Sequence, residues 1–314
     1  MEDNRLLTRG NKILGDLFGK SVHSIRQLTN NESSAKGFYR FLQNDRVSEE
    51  AIISNMLINC QAACQGKYVV CLQDTTEINL SSHQKRIKRD SHIGTTNVNR
   101  DKGLGFFLHP SLVIDAFTGV PYGYSEVKVW NRPLILSTKF ERNYSSLPIT
   151  DKESYRWIEV SRNTKESLKS IVEGLVIIQD REGDIYEQFA TIPDESTDLL
   201  VRARTNRTLG DGTKMFTCLS DMESMGSYKL QIEGKLSRKK REASIEVRYK
   251  QIEISKTKAT TKGVAARTTL YLIEAKEIGY SGKDGICWRL LTSIPVASIE
   301  MAMTCIEWYS WRWT

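Results

Sequence analysis

Apolar residues recur with helical spacing over the first 66 positions, and then the chain switches to short β-branched runs. The helical part predicts three helices. In the first, Leu6, Ile13, Leu14, Leu17 and Phe18 form an apolar stripe, while Arg5, Arg9 and Lys12 fall at i, i+4 and i+7 on one exposed face. The second carries Phe38, Tyr39 and Leu42 inside, with Lys36 and Arg40 one turn apart. The third starts at the N-cap Ser48, places Glu49 and Glu50 at the positive end of the helix dipole, and runs through Ile52, Met56, Cys60 and Ala63.

From Tyr68 onward the pattern predicts a mixed sheet. Val69 to Gln73 and Leu175 to Gln179 are buried-strand runs that each stop at an aspartate, Asp74 and Asp180. Leu104 to Ala116 and Gly119 to Val129 form an antiparallel pair turning at Phe117-Thr118-Gly119, and Lys152 to Ile171 has helical spacing. A helix follows from Asp184 to about Ala190, then a strand at Leu199-Leu200-Val201. Ile245, Val247 and Tyr249 alternate with charged residues before the apolar phase shifts to Ile252 and Ile254, which predicts a bulge near Gln251. Thr268 to Ile273 is a further strand. The last helix begins at Pro295, suited to a first turn, and places Tyr309 and Arg312 at i and i+3. The expected organisation is therefore a helical domain (1–66), the first part of an α/β core (67–194), a β-rich insertion (195–285) and the end of the core (286–314).

Hydrophobic residues at 39% and charged residues at 26% are a globular balance that excludes wholesale disorder. The net charge of +7 is unevenly spread, with dense runs at Lys85 to Arg89 and Lys235 to Arg241, which favours a polyanionic partner. The second run is expected at a hairpin tip, either a soluble loop or a phosphate contact. The basic N-terminal faces suit a DNA reader or, alternatively, a helical cap with solvated charges. Six cysteines without a Cys-x-x-Cys pair argue for free thiols, and no apolar stretch is long enough to span a membrane. The expected location is cytoplasmic.

Two carboxylates at neighbouring strand ends suit a divalent metal, because hard cations prefer oxygen ligands. With a third carboxylate from a later helix they would hold two Mg²⁺ ions, one lowering the pKa of an attacking water or sugar hydroxyl and the other stabilising the leaving oxygen. Glu182 and Asp184 are expected to cap the helix that follows them.

Asp74-Thr75-Thr76, Gly105-Phe106-Phe107-Leu108-His109, Glu126 to Pro133, Asp180-Arg181-Glu182-Gly183-Asp184, Trp288 to Ser293 and Tyr309-Ser310-Trp311-Arg312-Trp313 occur in the order of one family. On these words, with Tyr39-Arg40-Phe41 and Asn44, the chain resembles the insertion-sequence-four group of DDE transposases, which contains the Tn-five transposase. The resemblance implies an RNase H-like mixed sheet with flanking helices, an N-terminal helical DNA-binding domain and a β-rich insertion. It implies end cleavage, hairpin formation and strand transfer on double-stranded DNA, both transposon ends and target, in the nucleoid. Asp74 and Asp180 match the metal-binding, catalytic aspartates, with two Mg²⁺ (or Mn²⁺) ions as cofactors. Arg5, Arg9, Lys12 and Arg40 are the expected DNA contacts of the helical region, and Tyr309 and Arg312 match residues that face the terminal phosphates. Trp288 matches the aromatic that holds a flipped base, although by its position it would otherwise be core.

The family's signature continues with Glu and Lys at what would be positions 316 and 323, and with helices that pair two protomers in a synaptic homodimer. Glu307 lies nine residues before the first of these, about 900° of rotation and roughly 13 Å along the helix, so it does not substitute. The expectation is an inactive, truncated transposase that opens at an internal start. The alternatives are a non-catalytic DNA-binding regulator of transposition and an unrelated RNase H-like nuclease.

Overall fold

The computed structural model describes residues 3–20, 24–83, 85–87, 93–96, 103–132, 147–220, 222–234, 239–257 and 260–313. Its contacts divide the chain into two units, residues 1–59 and 60–314.

The first unit is helical: α1 (Asn4–Gly19), α2 (Ile25–Leu28), α3 (Glu32–Leu42) and most of α4 (Glu49–Cys64). Among the described residues four helices replace the expected three, because the link between the first two contains the single turn of α2. Asp3 caps α1 by accepting from the backbone N–H groups of Arg5 and Leu6, Asn31 caps α3 through Ser34, and Ser48 caps α4 through Ala51 as its position predicts. Leu28, Phe38 and Phe41 form the small core. Two expectations fail here. Tyr39 and Leu42 are 49% and 52% exposed while Phe41 takes the inward position, and of the α1 stripe only Leu6 and Ile13 are half-buried, with Leu14, Leu17 and Phe18 exposed.

The second unit is a mixed α/β structure around one large sheet. Its described strands are β1 (Tyr68–Gln73), β2 (Thr76–Asn79), β3 (Gly105–Asp115), β4 (Pro121–Trp130), β5 (Gly174–Gln179), β6 (Thr197–Arg202), β7 (Gly226–Ile232), β8 (Arg241–Ser255), β9 (Arg267–Ile278) and β10 (Cys287–Thr292). They run in the order β2-β3-β1-β5-β6-β10-β9-β8-β7, with β4 on β3. The central β1, β5 and β6 are parallel, and the other pairs are antiparallel. Every residue of β5 is buried, as a central strand covered on both faces requires.

The helices are α5 (Tyr155–Leu168), α6 (Tyr186–Thr191) and α7 (Ile299–Ser310). The last starts later than expected. Its N-cap is Ser298, whose hydroxyl accepts from the Met301 N–H, and Pro295 lies outside it.

The β-rich block extends the same sheet, and its pairing corrects the expected bulge. The β8–β9 register runs without a shift from Ser244 opposite Ile278 to Ser255 opposite Arg267. Ala243, Ile245 and Val247 pack into the core beneath α7, whereas Ile252 and Ile254 pack into the core on the other face, with Phe189 of α6. One regular strand serves two cores in turn, so its buried phase changes without an inserted residue. β7 pairs antiparallel with β8 from Gly226 to Ile232; residues 235–238 of the basic run, where a hairpin tip was expected, and Lys88 and Arg89 of the earlier run lie outside the described residues. Cys60, Cys64, Cys71 and Cys305 are buried free thiols. Among the described residues no helix is long and apolar enough to cross a membrane.

Candidate functional site

Leu72 of β1 sits opposite Ile178 of β5 in parallel register, so two residues further along each strand Asp74 is level with Asp180. Strand alternation sends both to the same face. Val70, Leu72, Val176 and Ile178 pack into the core that includes Ala302, Cys305, Ile306 and Tyr309 of α7, and positions 74 and 180 continue that parity.

α7 reaches the same point because its buried positions 302, 305, 306 and 309 follow helical spacing onto that core. Trp308 donates its indole N–H to the Ala116 carbonyl at 2.8 Å, which anchors the helix end. Tyr309 is fully buried and its hydroxyl donates to Asp180 Oδ1 at 3.0 Å. Burial, with the Asp180 charge adding to it, pushes this phenol up to about 12. One turn on, the Arg312 side chain is 2% exposed and lies between the aspartates, with Nη2 3.1 Å from Asp74 Oδ2 and Nη1 3.7 Å from Asp180 Oδ1. The guanidinium Nε has no hydrogen-bond partner among the described residues. Trp288 of β10 packs edge-on against Tyr309, ring centroids 5.5 Å apart, and is only partly buried. Four of the expected site residues, Asp74, Asp180, Tyr309 and Arg312, therefore converge, and Trp288 stands beside them.

The donor chemistry of the pair fits a hard divalent cation. Two carboxylates already converge on one cationic group, and water or phosphate oxygens commonly complete such a shell. Among the described residues no cluster of three His, Cys, Asp or Glu groups forms there. Glu182 and Asp184 do not cap α6, whose N-cap is Ile185 without a side-chain bond. Glu182 pairs with Arg156, and the buried Asp184 pairs with Arg207 and accepts from the N–H groups of Arg204 and Thr205.

Beside Asp74, Thr75 Oγ1 accepts from Arg156 Nε at 3.2 Å and bonds His109 Nδ1 at 2.8 Å. His109 is fully buried and edge-on to Trp157, and burial lowers its pKa to about 3, so the ring is neutral. Thr75 and His109 fall within the family words, but their joint role and the part played by Arg156 were not legible in the sequence.

Nor was the part played by Gln73 and Gln179, the residues just before the two aspartates. Both are fully buried on the opposite sheet face, where Gln179 Nε2 donates to Gln73 Oε1 at 2.7 Å. A polar residue at the same offset in two otherwise apolar runs was the available signal.

In the helical unit, Arg5, Arg9 and Lys12 line one cleft of about 530 Å³ with Asn4, Thr8, Ser33, Ser34 and Phe38. All three cations are exposed. Gly37 of α3 admits the Arg9 guanidinium, since a Cβ there would stand 1.7 Å from Arg9 Nη1. Arg40 is exposed on α3 and lines no part of that cleft.

Residues 1–47 match the transposase DNA-binding family model. Among solved structures, the chain is similar to one described as the cryo-EM structure of the piggyBac transposase synaptic complex with hairpin DNA, at 12% identity and a TM-score of 0.43. The match covers 99% of this chain and 57% of that one, so the chain spans little more than half the length of that relative. At that score the likeness carries no inference about fold or activity.

Proposed function

We propose that the protein is a DNA transposase of the cut-and-paste DDE type, with an RNase H-like core in which Asp74 and Asp180 hold divalent metal. The observation that carries this is the level pair of aspartates at adjacent parallel strand ends, facing Tyr309 and Arg312. The match of residues 1–47 to transposase DNA-binding regions supports the DNA partner.

A divalent cation bound at the pair supplies a lowered pKa for an attacking water or 3′ hydroxyl and charge stabilisation for the leaving oxygen. The chain's own residues do the rest. Arg312, already buried at the carboxylates, binds a non-bridging phosphate oxygen as the backbone enters. Tyr309 fixes one oxygen of Asp180 and leaves the other free. Trp288 offers a partly exposed ring on which an unstacked base can lie. Arg5, Arg9, Lys12 and Arg40 hold the duplex through its phosphates, which keeps the protein on the nucleoid, and two protomers pair the transposon ends.

Among the described residues no cluster of three His, Cys, Asp or Glu groups forms at the pair, and a non-catalytic DNA-binding regulator is the second reading. The test is a nicking assay on DNA carrying the element's ends, with Mg²⁺ or Mn²⁺. Slow, metal-dependent nicking abolished by Asp74→Asn or Asp180→Asn supports the enzyme. Tight binding with no nicking at any metal concentration supports the regulator, and nicking that survives both substitutions removes the site assignment.

A further inference from the structure

We propose that Gln73 and Gln179 are positioning residues: the hydrogen bond between their side-chain amides, on the sheet face away from the aspartates, locks β1 to β5 and so sets the separation of Asp74 and Asp180. The inference rests on the metal-binding role proposed for that pair.

The need for such a lock follows from the carboxylates' surroundings. The Asp74 side chain is 62% exposed; besides its ion pair with Arg312 at 3.1 Å, it accepts from the adjacent Thr75 N–H. Where Asp74 stands for those contacts to form is set by the backbone at the end of β1, where the last pair in register with β5 is Leu72 and Ile178. Gln73 and Gln179 come one residue beyond that pair and one before the aspartates. Both are fully buried, as are their neighbours Gln188 of α6 and Ser161 of α5.

Gln179 is the hub. Its Nε2 reaches Gln73 Oε1 at 2.7 Å and Ser161 Oγ at 2.8 Å, and its Oε1 accepts from Gln188 Nε2 at 2.7 Å. Gln188 Nε2 also donates to the Gly183 carbonyl at 2.9 Å, tying in the turn that follows Asp180. Gly183 has room for this only without a side chain, since a Cβ would lie 2.1 Å from Gln179 Oε1. A slide of β1 along β5 would break the 2.7 Å contact and leave buried amides without partners, a penalty that apolar residues at 73 and 179 would not impose. Side-chain amides thus resist the slippage that a smooth apolar strand pair permits.

The two glutamines are unequal, and that makes the idea testable. Gln73 Nε2 has no partner among the described residues, so Gln73 contributes an acceptor and carries an orphan donor. Gln73→Met removes both at nearly constant volume and should cost the fold little, yet it releases β1. Gln179→Met empties the hub.

The experiment measures Mn²⁺ binding to the full 314-residue chain by electron paramagnetic resonance, with thermal unfolding of the metal-free protein alongside. The expected result is a roughly tenfold weaker Mn²⁺ affinity in Gln73→Met with little change in unfolding, as loss of an outer support of a metal ligand typically gives. Gln179→Met should weaken it as much or more, and the double variant should be little worse than Gln179→Met, because the Gln73–Gln179 hydrogen bond is already lost there. Wild-type affinity in a folded Gln73→Met overturns the proposal and leaves the amides as core packing. Should Gln179→Met not fold, Gln73→Met decides alone. Mn²⁺ binding that survives Asp74→Asn and Asp180→Asn overturns the metal assignment itself, and the positioning role with it.

Discussion

Along α1 and α3, Arg5, Arg9, Lys12 and Arg40 stand exposed and make no ion pair among the described residues, whereas in the sheet unit Arg156, Arg207, Arg241, Arg289 and Arg312 are each tied to Asp or Glu. The difference separates two uses of positive charge. Exposed cations keep their full attraction for a polyanion and gain by releasing its counterions. Paired and partly buried ones have spent that attraction on carboxylates within the chain, and they hold loops and strand ends in place instead. Arg312 is the intermediate case, buried like the second group but aimed at carboxylates proposed to bind metal.

The sharpest way to break this contrast is charge reversal in the helical unit. Arg5, Arg9 and Lys12 changed together to Glu should lower DNA affinity roughly a thousandfold near 0.1 M salt and flatten its salt dependence by about three contacts, with unfolding of the sheet unit unchanged. A binding titration across several salt concentrations reads both. The converse change is Trp157→Ala, which empties a 1% exposed ring position beneath the sheet. Unfolding in urea should show a loss of about 3–5 kcal/mol, while the DNA affinity of protein that is still folded stays as it was.

A smaller effect comes from His109. Its folded pKa lies at about 3, below the usual 6.5, so below pH 6.5 the unfolded chain binds a proton that the folded one does not. Its contribution is complete above 6.5 and is lost as pH falls from there toward 3, by about 1.4 kcal/mol per pH unit. Urea midpoints at pH 7 and pH 5 should therefore differ less in His109→Phe than in the wild type. Smallest of all, Gly37→Ala displaces only the flexible end of Arg9, so DNA affinity should fall a few-fold while the helix gains slightly in propensity.

The strand ends carrying Asp74 and Asp180 were legible because buried parallel strands read as continuous apolar runs that stop where the chain emerges. The Phe117 to Gly119 turn and the Ser48 cap were legible because their local chemistry is sufficient. The helical interior was less so. Tyr39 and Leu42 belong to the same apolar set as Phe38 and Phe41, and a core this small takes only some of them. Glu182 and Asp184 look like first-turn acids, yet arginines distant in sequence, Arg156 and Arg207, claim them.

From the order of its residues alone, this protein's alternation of helix, buried strand and carboxylate was determined, because those preferences act over a few neighbouring positions. Tertiary structure decided which carboxylates meet, through parallel register and strand parity, and it gave one strand, β8, two cores to serve. It also brought Gln73 and Gln179 into one hydrogen bond across 106 residues. Such pairings depend on which faces are covered and by what, and that is a property of the packed sheet rather than of any segment within it.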